Sequence, residues 1–369
     1  MKYLSSLTIN KEVFRINAEL RSLGLKKIRP KDSINKPISF WIEKEPIIID
    51  DKLEVLNSLV IIFGTRGCRW AWHGHGGGCI FCGYVFKNPR HGGDLLKQLD
   101  YVFNRTRADK NRIKLVKIFT SGSFLDEFEV PLDIRLKILE NLTSFYSNLK
   151  AIQLETRPEH ILGRENIENL KDFDLEIYFN VGLETVDDKI LRLINKGFTF
   201  RVYEMAIKKA HENGFKMKTY LMMKQPFQTE LDAMNDTLIS GKKVIDMGTE
   251  SLSINPMVIY SYTFVEKIWK LGLYRPPWLN TVIHVVKNLI NYAKDKKSVV
   301  VCDPVAPGSP RGAHSCNKKC DKLLNKVLEK MVLSQSADID IPECCEKEWK
   351  KFIEEEYAKQ DLSYGNIFP

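Results

Sequence analysis

Residues 67–84 read Gly-Cys-Arg-Trp-Ala-Trp-His-Gly-His-Gly-Gly-Gly-Cys-Ile-Phe-Cys-Gly-Tyr, with cysteines at positions 68, 79 and 82. This stretch closely follows residues 58–65, a largely apolar run that predicts a buried strand. The cysteines are therefore expected in the loop at the carboxyl end of that strand, where ligand sites gather in parallel α/β folds. Four glycines between Cys68 and Cys79 allow the backbone to fold closely around a bulky group.

Three thiolates suit an iron–sulfur cluster that keeps one iron free. A four-iron cluster held by Cys68, Cys79 and Cys82 has one iron without a protein ligand, whereas simple electron carriers normally use four cysteines. A zinc knuckle with His73 or His75 as the fourth ligand is the main alternative. Reactive disulfide chemistry at the Cys-x-x-Cys pair is a weaker one. The position of the loop after a strand favours the cluster.

Five further strand candidates follow along the chain and alternate with amphipathic helical patterns. The strand candidates cover residues 113–121, 150–156, 175–184, 215–224 and 250–256. The helical patterns include a leucine stripe at positions 132, 136, 139 and 142, and residues 186–195, 201–213 and 230–245. Six β/α units in a row predict a parallel sheet with right-handed crossovers and are too few for an eight-fold barrel. We therefore expect an α/β fold with a partial (β/α)6 barrel.

The pattern changes at both ends of this array. Residues 1–50 carry basic and proline-containing stretches and are interpreted as an N-terminal extension. Residues 51–260 are assigned to the barrel. Residues 261–369 contain helical patterns, a Pro/Gly-rich segment and most of the cysteines, and are interpreted as a cysteine-rich C-terminal domain.

The overall charge suits a polyanionic partner. The chain of 369 residues has 56 Lys and Arg against 47 Asp and Glu, a net charge of +9. Such an excess favours nucleic acid, because phosphate contacts release condensed counterions, although it also serves solubility. No apolar run approaches the roughly 20 residues needed to cross a bilayer, and the N-terminus lacks signal-peptide features. We expect a cytoplasmic protein without a membrane partner.

A second group of cysteines occupies the C-terminal region at positions 302, 316, 320, 344 and 345. His314, Cys316 and Cys320 offer closely spaced soft ligands. Cys302 together with Cys344 or Cys345 would complete a tetrahedral zinc site, and Cys344 is the predicted ligand of the two. Buried free thiols and an auxiliary iron–sulfur cluster are the alternatives.

The three-cysteine segment resembles the radical S-adenosylmethionine (SAM) superfamily, in a branch near the Elongator catalytic subunit. The usual gap between the first two cysteines has three residues, and here it has ten. Phe81 matches the family aromatic that packs near the adenine of SAM. Residues 120–123, Thr-Ser-Gly-Ser, stand where the family commonly has Gly-Gly-Glu, so the missing acid leaves SAM to backbone contacts there.

The resemblance implies further SAM contacts at successive strand ends. The implied residues are Ser121, Gly122, Ser123, Glu155, Arg157 and Glu184. A carboxylate can accept from ribose hydroxyls, and an arginine can pair with the SAM carboxylate. A structural ion pair between Glu155 and Arg157, and helix capping by Glu184, remain alternatives.

Within the superfamily, the chain is similar to the archaeosine-forming radical SAM lyases over roughly residues 50–345. The phrases that carry this similarity are residues 120–126, 155–160, 182–185 and 311–316. The resemblance implies a tRNA substrate carrying a lysine adduct of 7-cyano-7-deazaguanine, with archaeosine as the product. It also implies a lysine-adding transferase and a reductant protein as partners, and the C-terminal domain is expected to contact tRNA.

The implied mechanism is radical cleavage. The reduced cluster splits SAM into methionine and a 5′-deoxyadenosyl radical, which takes a hydrogen from the lysine side chain so that the C–N bond breaks. No residue is predicted as a general acid or base. The alternatives are a radical SAM enzyme acting on another tRNA or small molecule, and a non-enzymatic zinc protein that binds RNA.

Overall fold

The computed structural model describes residues 6–28, 34–73, 75–89 and 91–359, and it describes side chains for residues 10–28, 34–72, 76–89 and 91–356. Eight strands form one sheet in chain order. They are β1 (Ser39–Ile49), β2 (Lys52–Ile62), β3 (Leu115–Phe119), β4 (Ala151–Thr156), β5 (Glu176–Glu184), β6 (Lys216–Met223), β7 (Ser251–Pro256) and β8 (Val299–Val301).

Helices connect and flank these strands. They are α1 (Ser6–Ile28), α2 (Arg69–His73), α3 (Leu95–Thr106), α4 (Leu132–Phe145), α5 (Pro158–Ile161), α6 (Arg164–Glu168), α7 (Asp188–Leu193), α8 (Phe200–Glu212), α9 (Glu230–Asp246), α10 (Phe264–Lys270), α11 (Leu279–Ala293), α12 (Lys318–Ser334) and α13 (Glu346–Lys359). None of the helices in the described part of the chain is long and apolar enough to span a membrane.

The sheet curls into a nearly closed barrel. Strands β2 to β8 run parallel to one another, while β1 pairs with β2 as an antiparallel hairpin. Asp50 and Asp51 in the hairpin turn have φ values of 48° and 61°, the positive values that a two-residue type I′ turn requires. Strands β1 and β8 contact each other at the remaining opening. The predicted partial barrel is confirmed, and its six strands are β2 to β7.

Two strands were not predicted, for different reasons. Strand β1 carries charged residues and Pro46, which are unfavourable in a central strand and tolerated at an edge. Strand β8 has only three residues, too few for a periodic pattern. The predicted N-terminal extension and the predicted C-terminal domain therefore each contribute a strand to the sheet. The domain boundaries at residues 50 and 260 stay a prediction.

The outer face of the sheet carries the main hydrophobic core. Alternate residues such as Val116 and Ile118 of β3 are fully buried there, among the apolar faces of the surrounding helices. Leu139 and Leu142 of α4, from the predicted leucine stripe, belong to the same cluster. The helices predicted at 201–213 and 230–245 are α8 and α9, whereas the pattern at 186–195 yields the shorter α7.

The inner face of the barrel is polar. Glu45 of β1 is paired with both Lys117 and Lys218, and Gln153 donates to Glu45 at 3.0 Å. Burial by itself would raise the pKa of Glu45, but the two ammonium groups hold that pKa at about 2. Asn180 donates to Gln153 at 3.2 Å and extends the network across the barrel. These charged and amide groups pair with one another inside the barrel.

Candidate functional site

The three predicted cluster cysteines lie in the loop after β2. Cys68 precedes α2, and a turn in which the Cys82 amide donates to the Cys79 carbonyl at 3.2 Å brings the other two together. The glycines at residues 76–78 have φ values of 67°, 73° and 79°, a region that disfavours residues with a Cβ. The glycines were expected to let this loop fold closely. Three of them do so by adopting the left-handed backbone conformation.

The three thiols are free, and Cys79 lies close enough to the other two to affect their pKa values. Cys79 is buried, and Cys68 and Cys82 are partly exposed. Withdrawal of the thiol groups from solvent raises the pKa of Cys68 to about 12 and of Cys82 to about 11, and the nearby Cys79 adds to both shifts. A bound metal would take the place of these thiol protons, since thiolates are the ligands. The side chains of His73 and His75 lie outside the described residues.

Helix α1 holds the cysteine loop through side chains that the sequence analysis did not identify. Arg21 donates to the carbonyl oxygens of Cys79 and Cys82 at 3.3 and 3.0 Å. Asn17 donates to the carbonyl of Gly76 at 2.9 Å. Both side chains are buried, and within the described structure Nε and Nη1 of Arg21 have no hydrogen-bond partner. Spare buried donors beside three thiols suit a group with negatively charged sulfur atoms.

The loop after β3 approaches the cysteine loop so closely that a side chain would not fit. A Cβ added at Gly122 would lie 2.5 Å from Cα of Cys68 and 2.0 Å from a carboxylate oxygen of Glu129. Glu129 accepts from the Ser123 amide at 2.7 Å, and its burial raises its pKa well above the ordinary value. A buried carboxylate therefore lies at this strand end, and it comes from a residue after the Thr-Ser-Gly-Ser segment that no local pattern marks.

Glu155, at the end of β4, also binds the backbone of the β3 loop. One of its carboxylate oxygens accepts from the amides of Thr120 and Ser121 at 2.7 and 2.8 Å. Burial raises the pKa of Glu155 to about 7, although the two amide donors oppose the shift. Ser121 has a φ of 71°, which turns this part of the loop toward Glu155. Within the described part of the chain, both amides bind the same carboxylate oxygen of Glu155.

Arg157 does not pair with Glu155, the alternative considered from the sequence. It is paired with Glu159 and donates to the carbonyl of Lys196 at 3.3 Å. Its guanidinium lies 5.2 Å from the ring centroid of Phe198. Burial lowers the pKa of Arg157, but Glu159 and the thiols of Cys68 and Cys79 outweigh this and raise it. The guanidinium therefore lies close enough to the thiols of Cys68 and Cys79 to interact with them electrostatically.

Glu184, at the end of β5, forms a buried ion pair with Lys196 at 2.6 Å. Asp187, rather than Glu184, caps the following helix. Lys196 lies close enough to Cys79 for the thiol to affect its pKa, which is raised despite burial, chiefly by Glu184. The sequence analysis did not assign Lys196 to the site, so its place there comes from the tertiary structure.

Two motif residues support the cysteine loop. Asp126 accepts two hydrogen bonds, at 3.0 and 2.7 Å, from Arg69, the residue that directly follows Cys68. His160 lies 3.6 Å from the same carboxylate. Phe81 is buried in an apolar cluster that also contains Cys79. The predicted residues at the ends of β2 to β5 are thus brought to one edge of the barrel.

The second cysteine group differs from the predicted zinc ligands. The structure pairs Cys316 with Cys345 and Cys320 with Cys344 as disulfides. Cys302 follows β8 and is buried in the main core, and Nδ1 of His314 is hydrogen-bonded to the Gly312 carbonyl at 2.8 Å. As a correction, Cys345 belongs to the group, and the structure does not bring Cys302 or His314 into it. Cys302 and His314 are close to Cys316 along the chain. In the fold, Cys302 packs in the main core and His314 is hydrogen-bonded to a backbone carbonyl.

Comparisons with known proteins agree with this site. The model of the Radical SAM superfamily matches residues 62–237, which include all three cysteines of the loop. Archaeosine synthase subunit beta of Methanosarcina acetivorans is 36% identical over 97% of this chain and 99% of that protein. The corresponding subunit of Thermococcus kodakarensis is 31% identical over 81% of this chain and 92% of that protein. An uncharacterized protein of Methanocaldococcus jannaschii is 34% identical over 92% of each chain.

Proposed function

The chain belongs to the family of archaeosine synthase beta subunits within the radical SAM superfamily, and on this premise we propose that it forms archaeosine in tRNA. The observation that carries the proposal is 36% identity to such a subunit over 97% of the chain, together with three free thiols in the loop after β2. Membership of the superfamily implies SAM and a 4Fe-4S cluster as cofactors.

We assign the cluster to Cys68, Cys79 and Cys82. Three soft donors, spare hydrogen-bond donors on Arg21 and the contact at Gly122 support this assignment. When bound, the cluster and SAM supply reductive cleavage of SAM to a 5′-deoxyadenosyl radical, chemistry that no side chain provides. The side chains around the pocket would orient these groups and keep water from them.

We assign SAM binding to the loops after β3, β4 and β5. The partly buried guanidinium of Arg157 is suited to a carboxylate, and the Glu155 oxygen that does not bind the β3 loop is suited to a ribose hydroxyl. Phe81 offers an apolar surface for the adenine. Ser121, Gly122 and Ser123 would contribute backbone groups, and the Glu184–Lys196 pair would close the pocket on the β5 side.

The substrate that we propose is tRNA bearing a lysine adduct of 7-cyano-7-deazaguanine, with C–N cleavage of the adduct as the reaction. A subunit that adds the lysine and a protein that supplies electrons would be the partners. Five lysines of α12 are exposed and form no ion pair within the described part of the chain, which suits contact with phosphates. They are Lys318, Lys319, Lys322, Lys326 and Lys330. A solvated helix face is the alternative.

The test is anaerobic incubation with SAM, a reductant and either adduct-bearing or unmodified tRNA, followed by mass spectrometry of the nucleosides. We expect only the adduct-bearing tRNA to yield the formamidine base, and 5′-deoxyadenosine to form with it. Cys79→Ala should abolish both products, because two thiolates cannot hold a four-iron core in place. An unchanged nucleoside mass with every tRNA would contradict archaeosine formation, and product formation by Cys79→Ala would contradict the cluster assignment.

A further inference from the structure

Four cysteines meet where α12 and α13 begin. This four-cysteine group consists of Cys316, Cys320, Cys344 and Cys345. Cys316 precedes the first residue of α12 by two positions, Cys320 lies in the first turn of α12, and the other two immediately precede α13. The sulfur atoms of Cys316, Cys320 and Cys345 all lie within 4.8 Å of one another, although Cys320 is paired with Cys344. Three sulfur atoms therefore converge, and the sulfur of Cys344 lies beside them through its pairing with Cys320.

Two crosslinks between the same two segments would be redundant. The pairs join cysteines that are 29 and 24 residues apart, so the second link closes a loop that the first has already closed. Most of the stabilisation by a disulfide comes from loop closure, and a second one here would add little. Cys345 has a φ of 58°, a strained value for a residue with a Cβ, and it lets two consecutive cysteines turn to the same point.

The surroundings of the group suit thiolates. The Cys316 amide donates to Sγ of Cys345 at 3.4 Å, and Nδ2 of Asn317 donates to Sγ of Cys316 at 3.2 Å. Hydrogen bonds to an ionised acceptor are stronger than those to a neutral one. Asn317 also caps α12, whose N-terminus presents partial positive charge to Cys320. Donors and the helix end would offset the negative charge of several thiolates.

We propose that the four-cysteine group binds one zinc ion as a closed structural site. Four thiolates at about 2.3 Å from a tetrahedral zinc lie about 3.8 Å apart, which agrees with sulfur atoms that converge within 4.8 Å. The site forms in the reduced chain: a thiol reductant converts the two disulfides to four thiols and is itself oxidised, and zinc binding then releases the four thiol protons. A set of four protein ligands leaves no open position for a substrate.

The bound ion would fasten α13 to the body of the protein. Asn280 of α11 donates to the Cys344 carbonyl at 2.9 Å, and the Trp349 indole of α13 donates to Thr281 at 2.7 Å. Near the far end of α13, Glu356 accepts from the Glu230 amide at 2.6 Å. Loss of zinc should therefore loosen α13 and its contacts with α9 and α11. This proposal is independent of the proposed function.

The test is metal analysis and thiol mapping of the full chain, purified under reducing conditions without added metal. We expect about one zinc per chain, bound by four alkylatable cysteines. Cys316→Ser together with Cys320→Ser should remove it, whereas Cys302→Ala, which changes a buried cysteine outside the group, should retain it. Two alkylation-resistant disulfides, absence of zinc, or zinc retained by the double variant would each overturn the proposal.

A second measurement covers the case in which the double variant does not fold. Zinc is removed from the wild-type chain with a chelator, and Co²⁺ is added. We expect a thiolate-to-cobalt charge-transfer band and tetrahedral ligand-field bands, reversal by added zinc, and a lower unfolding temperature for the metal-free chain. Absence of these bands, or an unfolding temperature unaffected by zinc, would contradict a structural site.

Discussion

Arg21 connects a surface helix to the backbone that carries two cysteines. Its side chain is 5% exposed and donates to the carbonyls of Cys79 and Cys82, so its positive charge lies close to the cluster site. Positive charge and hydrogen bonds near a cluster stabilise its reduced form. Arg21 is therefore expected to act on the cluster through the position and charge of the loop.

Replacing Arg21 by Met should make the reduction potential of the reconstituted cluster more negative and accelerate loss of iron to a chelator. Both effects follow from removing a buried charge and two hydrogen bonds to the loop. Electrochemistry and the decay of visible absorbance would measure them. Arg15→Met is the matched control, because Arg15 lies on the same helix and its side chain is 57% exposed. Equal potentials and decay rates in the two variants would contradict this role.

Glu155 should make stability depend on pH. Burial raises its folded-state pKa to about 7, above the ordinary value, so the folded chain retains a proton that the unfolded chain releases near pH 4.5. Stability from this group is therefore fully present below about pH 4.5 and is lost as the pH rises through 7. The expected loss for the metal-free chain is of the order of 1–3 kcal/mol.

Glu155→Gln keeps an oxygen for the two backbone amides and removes the titration. Its unfolding free energy, measured with denaturant at pH 5 and pH 8, should fall less with rising pH than that of the wild type. Glu140→Gln, which changes an exposed carboxylate on α4, should follow the wild type. A pH dependence of Glu155→Gln as steep as that of the wild type would exclude this carboxylate as the cause.

At the scale of elements, the loops after β2 and β3 form one unit. Gly122 allows them to touch, and the Glu155 carboxylate binds the β3 loop from β4. Asp126 ties the same region to Arg69 in the cysteine loop. The position of each cysteine thus depends on elements that are far apart in the chain.

Replacing Gly122 by Ala should displace the cysteine loop and reduce cluster occupancy several-fold, because the new Cβ would lie 2.5 Å from Cα of Cys68. Iron and sulfide content after anaerobic reconstitution would measure the effect. In the control Gly163→Ala, the new Cβ would first meet the amide end of Asn166 at 2.7 Å, which can rotate away. Full occupancy in Gly122→Ala would show that this contact does not position Cys68.

For the whole molecule, the net charge of +9 and the exposed lysines of α12 lead to a prediction about tRNA binding. Affinity should fall steeply with salt, with similar slopes for unmodified and adduct-bearing tRNA, because phosphate contacts release counterions without selecting the base. Replacing Lys322 and Lys326 by Gln should reduce the slope by about one for each lysine that contacts phosphate. Lys137→Gln on α4, an exposed lysine near Asp133, is the control.

Titration of labelled tRNA at several salt concentrations would measure these slopes. A slope unchanged in the α12 variants would place the tRNA on another surface. Different slopes for the two tRNAs would show that the adduct changes the number of phosphate contacts.

Sequence reasoning predicted those features that depend on local pattern. The cysteine spacing, the glycines of the loop and the β/α alternation each lie in short stretches, and their meaning follows from backbone preferences and hydrophobic periodicity. Strand order followed from the same alternation, since consecutive parallel strands with right-handed crossovers lie side by side. The meeting of strand ends at one edge of the barrel was therefore predictable without coordinates.

Only the tertiary structure decided which distant side chains complete the site. Arg21 and Glu129 reach the cysteine loop from elements with no local signal of that role, and Lys196 pairs with Glu184 across a turn and a helix. The tertiary structure also decided which cysteines form the second group. Cys302 is buried in the main core, whereas Cys345 lies with Cys316 and Cys320. Such choices depend on burial and on distances through space, which spacing along the chain does not specify.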